Sequence, residues 1–313
     1  MIDTALILAA GRGSRLKEVT ATRSKAMAPV AGKPIIGRVI DALKKAGISR
    51  FIVIGAPHDT ELRSYCDAAS NTTYLVQDKP LGSGDALRVA TNHTPDTFIV
   101  CACDSLVPSA DIKDLIGHHR HDSFATLSII EVDPDISLGS RSVVALQDDR
   151  VVNFVEKPKD TERISNLSSL PLYVLTKDIF PALKNLAPSP RGEYELPEVF
   201  KASISQGKVV RAVRASSRCD LTDQRDLLAL NEHFLTDLSP VQQIHPSVVV
   251  PSSAKIHPPI LIEEGVTLGE NVTVGPFVYI ERDARVDAGC VVSHAVVTRG
   301  AQVRQNSQSS VIT

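Results

Sequence analysis

The chain has 313 residues, of which 43% are hydrophobic and 22% are charged, the composition of a soluble globular protein with room for about two domains. This composition excludes a long disordered chain, a collagen-like fibre and a small disulfide scaffold. Its 34 basic and 36 acidic residues leave a net charge of −2, so no overall charge draws the chain to nucleic acid or to a membrane surface.

The cellular location follows from the apolar runs and the cysteines. No apolar run approaches the ~18 residues that a membrane span requires, and the apolar stretch near the N-terminus lacks the preceding basic region of a secretory signal. Five cysteines without a pairing pattern are typical of reduced thiols. We therefore expect a cytoplasmic protein without a nucleic-acid or membrane partner.

The first part of the chain alternates short β-rich runs with helical patterns. Strands are predicted at 4–10, 51–55, 73–76 and 98–103, and helices at 35–46, 60–69, 83–91 and 226–235. Strands separated by helices favour parallel pairing in an α/β sheet. Ligands of such sheets bind beyond the carboxyl ends of the strands. We assign residues 1–236 to this domain.

Residues 244–313 carry a different period. An aliphatic residue occupies every sixth position from Ile244, namely Val250, Ile256, Ile262, Leu268, Val274, Ile280, Val286 and Val292. This period is typical of a parallel β-helix, in which these side chains point into a narrow triangular core. At ~18 residues per turn, the segment forms about three coils. The period fades after Val292, so we expect the tail 304–310 to cap the stack or to fray.

A glycine-rich segment, LAAGRGSRL at residues 8–16, directly follows the first strand. Its glycines let backbone N–H groups approach phosphate oxygens, and Arg12 and Arg15 add charge. By itself the segment lacks the third glycine of a dinucleotide fingerprint and the Gly-Lys-Ser/Thr of a P-loop. It continues, however, to Lys25 and to PVAGKP at residues 29–34.

Together these segments resemble the signature LAAGxGTRL, PK and PVxGKPxI of the nucleotidyltransferases that make NDP-sugars from an NTP and a sugar 1-phosphate. The resemblance covers nearly the whole chain, because many members carry a C-terminal left-handed β-helix of hexapeptide repeats. It implies a Rossmann-like (GT-A-like) α/β domain with a mostly parallel sheet, followed by a short left-handed parallel β-helix. We expect this second domain to pack subunits into a homo-oligomer.

The resemblance also implies roles for individual residues. Arg15 and Lys25 match the catalytic cations, and Asp104 and Asp220 match the two carboxylates that hold the Mg²⁺ cofactor. The implied nucleotide-binding residues are Leu8, Ala10, Gly11, Gly13, Ser14, Gln77, Gly82 and Ser83. The implied sugar-phosphate-binding residues are Glu156, Lys157 and Glu193.

The chemistry of the implied reaction explains this choice of residues. A sugar phosphate that attacks an α-phosphate brings two polyanions together, so cations must offset their repulsion. No covalent nucleophile or general base is required, because the sugar phosphate is already ionised at neutral pH. Positioning and electrostatics do most of the catalysis.

The sequence departs from the family pattern at five places, of which Ser14 in place of threonine keeps the hydroxyl group. Ser24 replaces the proline before Lys25, and Cys103 replaces the glycine before Asp104. Arg141-Ser142 stands where the family has Tyr-Gly, and Ser169-Leu-Pro171 stands for Asn-x-Gly. The last two departures fall in the sugar segments, which leaves an unusual acceptor open.

Several functions remain open at this point. The expected one is condensation of an NTP with a sugar 1-phosphate to an NDP-sugar and pyrophosphate, with UTP or dTTP and a hexose or N-acetylhexosamine 1-phosphate favoured. A non-catalytic regulatory or scaffold paralogue of the same architecture is one alternative, although Lys25, Asp104 and Asp220 are retained. A bifunctional enzyme with an acetyltransferase in the tail, where His294 is the candidate residue, is another. A nicotinamide dehydrogenase is disfavoured by the missing third glycine.

Overall fold

A computed structural model describes residues 2–11, 13–135, 137, 141–189 and 192–313; Arg12, placed above beside the phosphates, lies outside them. The chain forms two compact units, and each combines separate stretches of sequence. The sheet unit comprises the described residues of Met1–Arg12 and Val39–Arg218, and the coil unit comprises Gly13–Arg38 and Cys219–Thr313. The domain limits 1–236 and 244–313 stay a prediction, because compactness alone does not say which stretches fold independently.

The elements are as follows. The strands are β1 (Thr4–Leu8), β2 (Pro29–Val30), β3 (Lys33–Pro34), β4 (Arg50–Gly55), β5 (Thr72–Val76), β6 (Thr97–Ala102), β7 (Ser105–Leu106), β8 (Ala125–Glu131), β9 (Ser142–Gln147), β10 (Arg150–Glu156), β11 (Leu167–Thr176), β12 (Val210–Arg214), β13 (Cys219–Asp220), β14 (Gln242–Ile244), β15 (Lys255–Ile256), β16 (Ile260–Ile262), β17 (Thr267–Leu268), β18 (Thr273–Val274), β19 (Val278–Ile280), β20 (Arg285–Val286), β21 (Val291–Val297), β22 (Gln302–Val303) and β23 (Ser307–Ile312). The α-helices are α1 (Ile35–Lys45), α2 (Thr60–Asp67), α3 (Ser83–Val89), α4 (Ser109–His118), α5 (Ile179–Lys184), α6 (Leu196–Ser205) and α7 (Gln224–Thr236), and 3₁₀ segments span Ser14–Ala21, Lys25–Met27 and Asp160–Glu162. In the part of the chain that the structure describes, no helix is both long and apolar enough to cross a membrane.

The sheet unit is built on a nine-stranded sheet in the order β5-β4-β1-β6-β11-β8-β12-β10-β9. The strands from β5 to β6 pair in parallel, as the alternation of strands and helices predicts. Beyond β6 the sheet is mixed: β8 and β12 are parallel, whereas β11 runs antiparallel to both of its neighbours in this order. Buried aliphatic and aromatic side chains, among them Leu6, Val100, Phe154 and Phe200, form the core of this unit.

The carboxyl ends of the central strands lie side by side. Leu8 at the end of β1 is the register partner of Ala102 at the end of β6, and the amide of Cys103 donates a hydrogen bond to the Leu8 carbonyl at 3.1 Å. This is the edge at which the sequence places ligand binding, because the first residues after each parallel strand project there.

The coil unit contains a stack of parallel strands. Gln242 pairs with Ile260 and Ile260 pairs with Val278, so one coil takes 18 residues. Two positions in each six-residue step point inward rather than one, as Ile260 with Ile262 and Val272 with Val274 show. A β-strand turns alternate side chains to the same face, so the inward residues are two apart.

One predicted core residue is not in this core. Val250 is 38% exposed, although its place in the six-residue period predicts that it points inward. The described chain has no strand between β14 and β15, and Val250 lies in this stretch. Val248 in the same stretch takes the inward position, and Val250 lies in the first coil, where Ile244 and Ile256 are also only partly buried.

The tail does not fray. After Val292 the inward positions continue at Val297 and Val303, because the coil that contains β21 is one residue shorter: Val278 pairs with Ala295, an offset of 17. Strand β23 then pairs in parallel with β21. Of the two expectations for the tail, fraying is therefore wrong, because Ser307–Ile312 belongs to the stack, and capping stays a prediction.

Candidate active site

The sheet unit contains a cavity of about 300 Å³ beside the ends of β1 and β6. Five residues implied by the family resemblance line it, namely Leu8, Ser83, Glu156, Lys157 and Glu193. They come from four separate stretches of the sequence: the end of β1, the start of α3, the end of β10 and the segment before α6. Two of the implied nucleotide-binding residues and all three implied sugar-phosphate-binding residues therefore line one cavity.

A glycine turn forms part of this site. Gly82 lies at φ +105°, and a Cβ atom there would be 2.6 Å from the Tyr194 carbonyl oxygen. The Tyr194 amide donates to the Leu81 carbonyl at 2.7 Å, and the Gly84 amide donates to the Tyr194 carbonyl at 2.7 Å. Only glycine permits this close approach, which places the turn against the segment that carries Glu193.

Gln77 supports the same turn. It is 4% exposed, and its Nε2 donates to the Asp85 carboxylate at 2.8 Å and to the Gly82 carbonyl at 3.2 Å. Ser83, which follows Gly82, accepts a hydrogen bond at its Oγ from the Leu196 amide at 3.0 Å. In this structure the Gln77 amide therefore holds the glycine turn.

Carboxylates dominate the opposite wall of the cavity. The Lys157 Nζ lies 3.2 Å from a Glu195 carboxylate oxygen and 3.5 Å from one of Glu156. The Ser142 hydroxyl donates a hydrogen bond to Glu156. Glu195 is only 6% exposed, so its charge depends on these neighbours for compensation. Lys157 is thus the cation of an acidic cluster.

Two further lining residues have shifted pKa values. Burial, together with the nearby charge of Asp104, raises the pKa of the Cys101 thiol to about 12. Burial also raises the pKa of Tyr173, and the Glu156 carboxylate raises it further. Both groups therefore stay protonated at neutral pH, which agrees with a reaction that requires no protein nucleophile.

The remaining implied residues of the phosphate segment lie in the coil unit. Gly13 lies at φ +61°, directly before the 3₁₀ segment Ser14–Ala21, and a Cβ atom at this position would be 2.8 Å from the Cβ of Lys25. The absence of a side chain at Gly13 therefore allows Lys25 to approach. Ser14 and Arg15 are exposed, whereas Lys25 is half-buried.

The other implied residues are divided between the units. In the sheet unit, Ala10 is half-buried and Gly11 is exposed, and a Cβ atom at Gly11 would meet nothing within 4 Å. Asp104 lies two residues beyond β6 in the sheet unit, and Asp220 ends β13 in the coil unit. Across the described residues, no group of three or more His, Cys, Asp or Glu side chains is arranged to hold a metal ion, so the metal role of the two aspartates stays a prediction.

Several lining residues are outside the implied set, among them Glu195, Ser142 and Pro171. Glu195 lies two residues after Glu193, and both residues line the cavity. That spacing puts two side chains on the same side of an extended chain and could have identified Glu195. Ser142 and Pro171 are the two departures from the family's sugar motifs, so the departures concern the wall of the cavity itself.

The comparison with known proteins decides the family. Residues 4–237 match the family described as nucleotidyl transferase. The chain belongs to this family. This nucleotidyl transferase is 31% identical over 267 residues to a Methanococcus maripaludis (strain S2) protein named "Bifunctional protein GlmU", a match that covers 85% of this chain and 62% of that relative. It is 29% identical over 322 residues to the protein of that name from Exiguobacterium sibiricum, covering 94% of this chain and 69% of the relative.

The nucleotidyl transferase spans less than two thirds of the first of these relatives, about 62% of its length. Its fold is that of a solved structure described as UDP-glucose pyrophosphorylase complexed with UDP-glucose. The two share a TM-score of 0.68 at 21% identity, over 76% of this chain and 100% of the other. At this identity the likeness concerns the fold alone.

Proposed function

We propose that this nucleotidyl transferase condenses an NTP with a sugar 1-phosphate to give an NDP-sugar and pyrophosphate, with Mg²⁺ as its cofactor. The observation that carries the proposal is the cavity of about 300 Å³ lined by Leu8, Ser83, Glu156, Lys157 and Glu193 in a chain of this family. The relatives' name and the UDP-glucose of the solved structure agree with this class of reaction.

The cavity suits a sugar phosphate. The carboxylates of Glu156, Glu193 and Glu195 offer acceptors for several sugar hydroxyls. A phosphate would be repelled by these carboxylates and therefore turns toward Lys157, the cation among them. The phosphate then competes with Glu195 for the ammonium group.

The bond changes require no proton transfer. An oxygen of the sugar phosphate attacks the α-phosphorus of the NTP, and the bond from that phosphorus to the pyrophosphate oxygen breaks with its electron pair. Negative charge develops on the leaving pyrophosphate. In our proposal Arg15 and Lys25 stabilise this charge, and the glycine turn at Gly82 holds the nucleotide.

The donor set for the cofactor fits a hard cation. Mg²⁺ is usually bound by one or two carboxylates together with water and substrate phosphates. In our proposal Asp104 and Asp220, both half-buried, are the residues that would hold the ion. When bound, Mg²⁺ supplies a positive charge that draws the two phosphates together and stabilises the charge on them.

The nucleotide and the sugar 1-phosphate are the more specific part of the proposal. We propose UTP as the first nucleotide to test and dTTP as the second, with a hexose or N-acetylhexosamine 1-phosphate as acceptor. Ser142 and Pro171 replace family residues at the cavity wall, so an acceptor outside these classes belongs in the same test. We propose a cytoplasmic location, without nucleic-acid or membrane partners.

We further propose that the coil stack is left-handed and joins copies of the chain into a homo-oligomer. Valines are exposed on the coil unit, with Val249 82%, Val241 46% and Val291 41% exposed, and apolar surface of this kind favours packing against a second copy. Val249→Lys should give a smaller species in light scattering than the wild type. An unchanged molecular mass would contradict this surface as the interface.

A second activity in the C-terminal segment is an alternative, because the relatives carry the name "Bifunctional protein GlmU". In the coil unit, His294 lies with Nδ1 2.8 Å from a Glu232 carboxylate oxygen and packs against Phe277, with 5.1 Å between ring centroids. Calorimetry with acetyl-CoA tests this alternative: heat of binding would favour a bifunctional enzyme, and its absence a packing role.

The main experiment is pyrophosphate release from a matrix of NTPs against sugar 1-phosphates with Mg²⁺. We expect release with one pair of substrates and a loss of at least 100-fold in Asp104→Asn. Asp96→Asn is the matched control, because Asp96 directly precedes β6 and its carboxylate is 95% exposed, whereas Asp104 follows that strand. A folded protein that binds an NTP but releases no pyrophosphate with any acceptor would contradict the proposed substrates. Failure to bind any NTP would favour the non-catalytic paralogue.

A further inference from the structure

A buried ion pair in the coil unit joins two segments that are far apart in the sequence. Arg23 Nη1 lies 2.7 Å from a Glu281 carboxylate oxygen, and the two side chains are 4% and 10% exposed. Arg23 belongs to the loop 13–38, which carries Arg15 and Lys25, whereas Glu281 directly follows β19 in the coil stack. The two residues are 258 positions apart.

The coil fixes Glu281 from its other side. The second carboxylate oxygen of Glu281 accepts a hydrogen bond from the Arg299 amide at 3.0 Å. The Arg299 side chain in turn donates from Nη2 to the Thr22 carbonyl at 3.3 Å. Thr22 and Arg23 are therefore both held by the coil stack, and Lys25 follows two residues later.

A second anchor holds the loop beyond Lys25. The side chain of Asn231 in α7 is 2% exposed; its Oδ1 accepts from the Ala31 amide at 2.8 Å and its Nδ2 donates to the Pro29 carbonyl at 3.1 Å. Lys25 thus lies between two attachment points, one on the coil stack and one on α7.

A buried ion pair is a poor device for stability alone. The free energy lost when two charges leave water is about as large as the free energy gained from their attraction. An apolar pair of similar volume therefore often gives the same stability. Its geometric demands are strict, however, because both charges must keep their partners. A pair at this place therefore fixes the position of the chain on either side of it.

We propose that Glu281 and Arg23 are positioning residues for the reaction: the coil stack, through this ion pair, holds the loop that carries Arg15 and Lys25 in its active conformation. This inference rests on the proposed function. It gives the coil stack a part in catalysis that is independent of any packing between subunits.

The chain offers a matched control for Glu281 in the preceding coil. Glu263 occupies the corresponding place, since it directly follows β16 as Glu281 follows β19, and these strands pair in parallel. Its carboxylate accepts from the Tyr279 hydroxyl at 2.6 Å and from the Arg282 amide at 3.0 Å. Both of these partners belong to the coil stack and not to the loop 13–38.

The experiment compares Glu281→Gln with Glu263→Gln in the full chain. Each substitution removes one carboxylate charge and keeps an amide oxygen as acceptor. We expect Glu281→Gln to lower kcat for pyrophosphate release at least tenfold at a temperature where circular dichroism shows it folded, and Glu263→Gln to stay within twofold of the wild type. The double variant Arg23→Gln with Glu281→Gln, in which two amides can pair, should recover at least threefold in kcat.

Hydrogen–deuterium exchange provides a readout that does not depend on activity. Amides within 14–27 should exchange at least tenfold faster in Glu281→Gln than in Glu263→Gln. An unchanged kcat in folded Glu281→Gln, with an active wild type, would overturn the positioning role. A wild type without pyrophosphate release on any substrate pair would contradict the proposed function instead, and unchanged exchange in 14–27 would then refute the anchoring on its own.

Discussion

The substitution Gly82→Ala tests the glycine turn that precedes Ser83 of the candidate site. Gly82 lies at φ +105° and ψ 174°, a region that is essentially restricted to glycine and costs another residue about 1–3 kcal/mol. The added Cβ atom would lie 2.6 Å from the oxygen and 2.9 Å from the nitrogen of Tyr194. Both are backbone atoms, so the contact cannot be relieved by a rotamer change.

The magnitude follows from what must move. Tyr194 has to shift by several tenths of an ångström, which strains its two 2.7 Å hydrogen bonds with Leu81 and Gly84. Each such bond contributes about 0.5–1.5 kcal/mol. Together with the backbone strain, we expect Gly82→Ala to lower the free energy of unfolding by about 2–6 kcal/mol.

Urea unfolding monitored by circular dichroism measures this loss. Gly117→Ala is the matched control: Gly117 lies in α4, a Cβ atom there would meet nothing within 4 Å, and alanine should stabilise the helix by about 0.5–1 kcal/mol. The same substitution should therefore act with opposite signs at the two positions. A Gly82→Ala variant within about 1 kcal/mol of the wild type would refute the reasoning from backbone contact.

The remaining predictions concern single side chains. If the proposed function holds, Lys157→Ala should lower kcat/KM for the sugar 1-phosphate about 10- to 100-fold in steady-state kinetics, because the cation that would pair with the phosphate is lost. Ser24→Pro should raise the free energy of unfolding by about 1 kcal/mol in urea titrations: Ser24 lies at φ −71° and ψ 161°, where proline fits, and its buried Oγ has no hydrogen-bond partner among the residues that the structure describes. Burial lowers the pKa of His119, so the unfolded chain takes up this proton first as the pH falls below about 6.5. Stability should therefore decrease below that pH, and His119→Asn should remove this part of the pH dependence in thermal melts.

The sheet could be predicted where local pattern and tertiary environment agree. Strands such as β1 and β4 are continuous apolar runs because both faces of a parallel sheet are covered, and the helices between them show the spacing of one buried face. The mixed half of the sheet gives no such signal. Strand β11 joins it by running antiparallel to both β6 and β8, and direction of pairing leaves no mark on a single strand's pattern.

The coil stack shows the same limit in another form. A six-residue period predicts the inward positions up to Val292, because each coil repeats the same three sides. The five-residue step to Val297 shifts the phase by one, and a fixed six-residue period then predicts that Arg304, which is exposed, belongs to the core. Val250 is the reverse case, since it keeps the period but is 38% exposed in the first coil, where Ile244 and Ile256 are also only partly buried.

The candidate-site residues that the sequence analysis identified are those that a motif names. Glu156, Lys157 and Glu193 follow from short segments, whereas Glu195 is chosen by its ion pair with Lys157 at 3.2 Å, a contact across 38 positions of sequence. The pair of Arg23 and Glu281, 258 positions apart, carries no local signal at all. Groups that act on a site through another residue are the ones that sequence patterns miss.

Two glycines with positive φ, Gly13 and Gly82, explain why a glycine-rich segment is a weak motif by itself. At Gly13 the missing side chain admits Lys25, and at Gly82 it admits the backbone of Tyr194. In each case the glycine is required by the close approach of a second segment, which carries Lys25 in one case and the residues next to Glu193 and Glu195 in the other. Gly11, beside which a Cβ atom would meet nothing, has no such partner. The requirement for glycine therefore comes from the segment that approaches it. For Gly82 this segment lies more than a hundred positions away in the sequence. The hydrogen bond between Ser83 and Leu196, which are 113 positions apart, joins the same two segments.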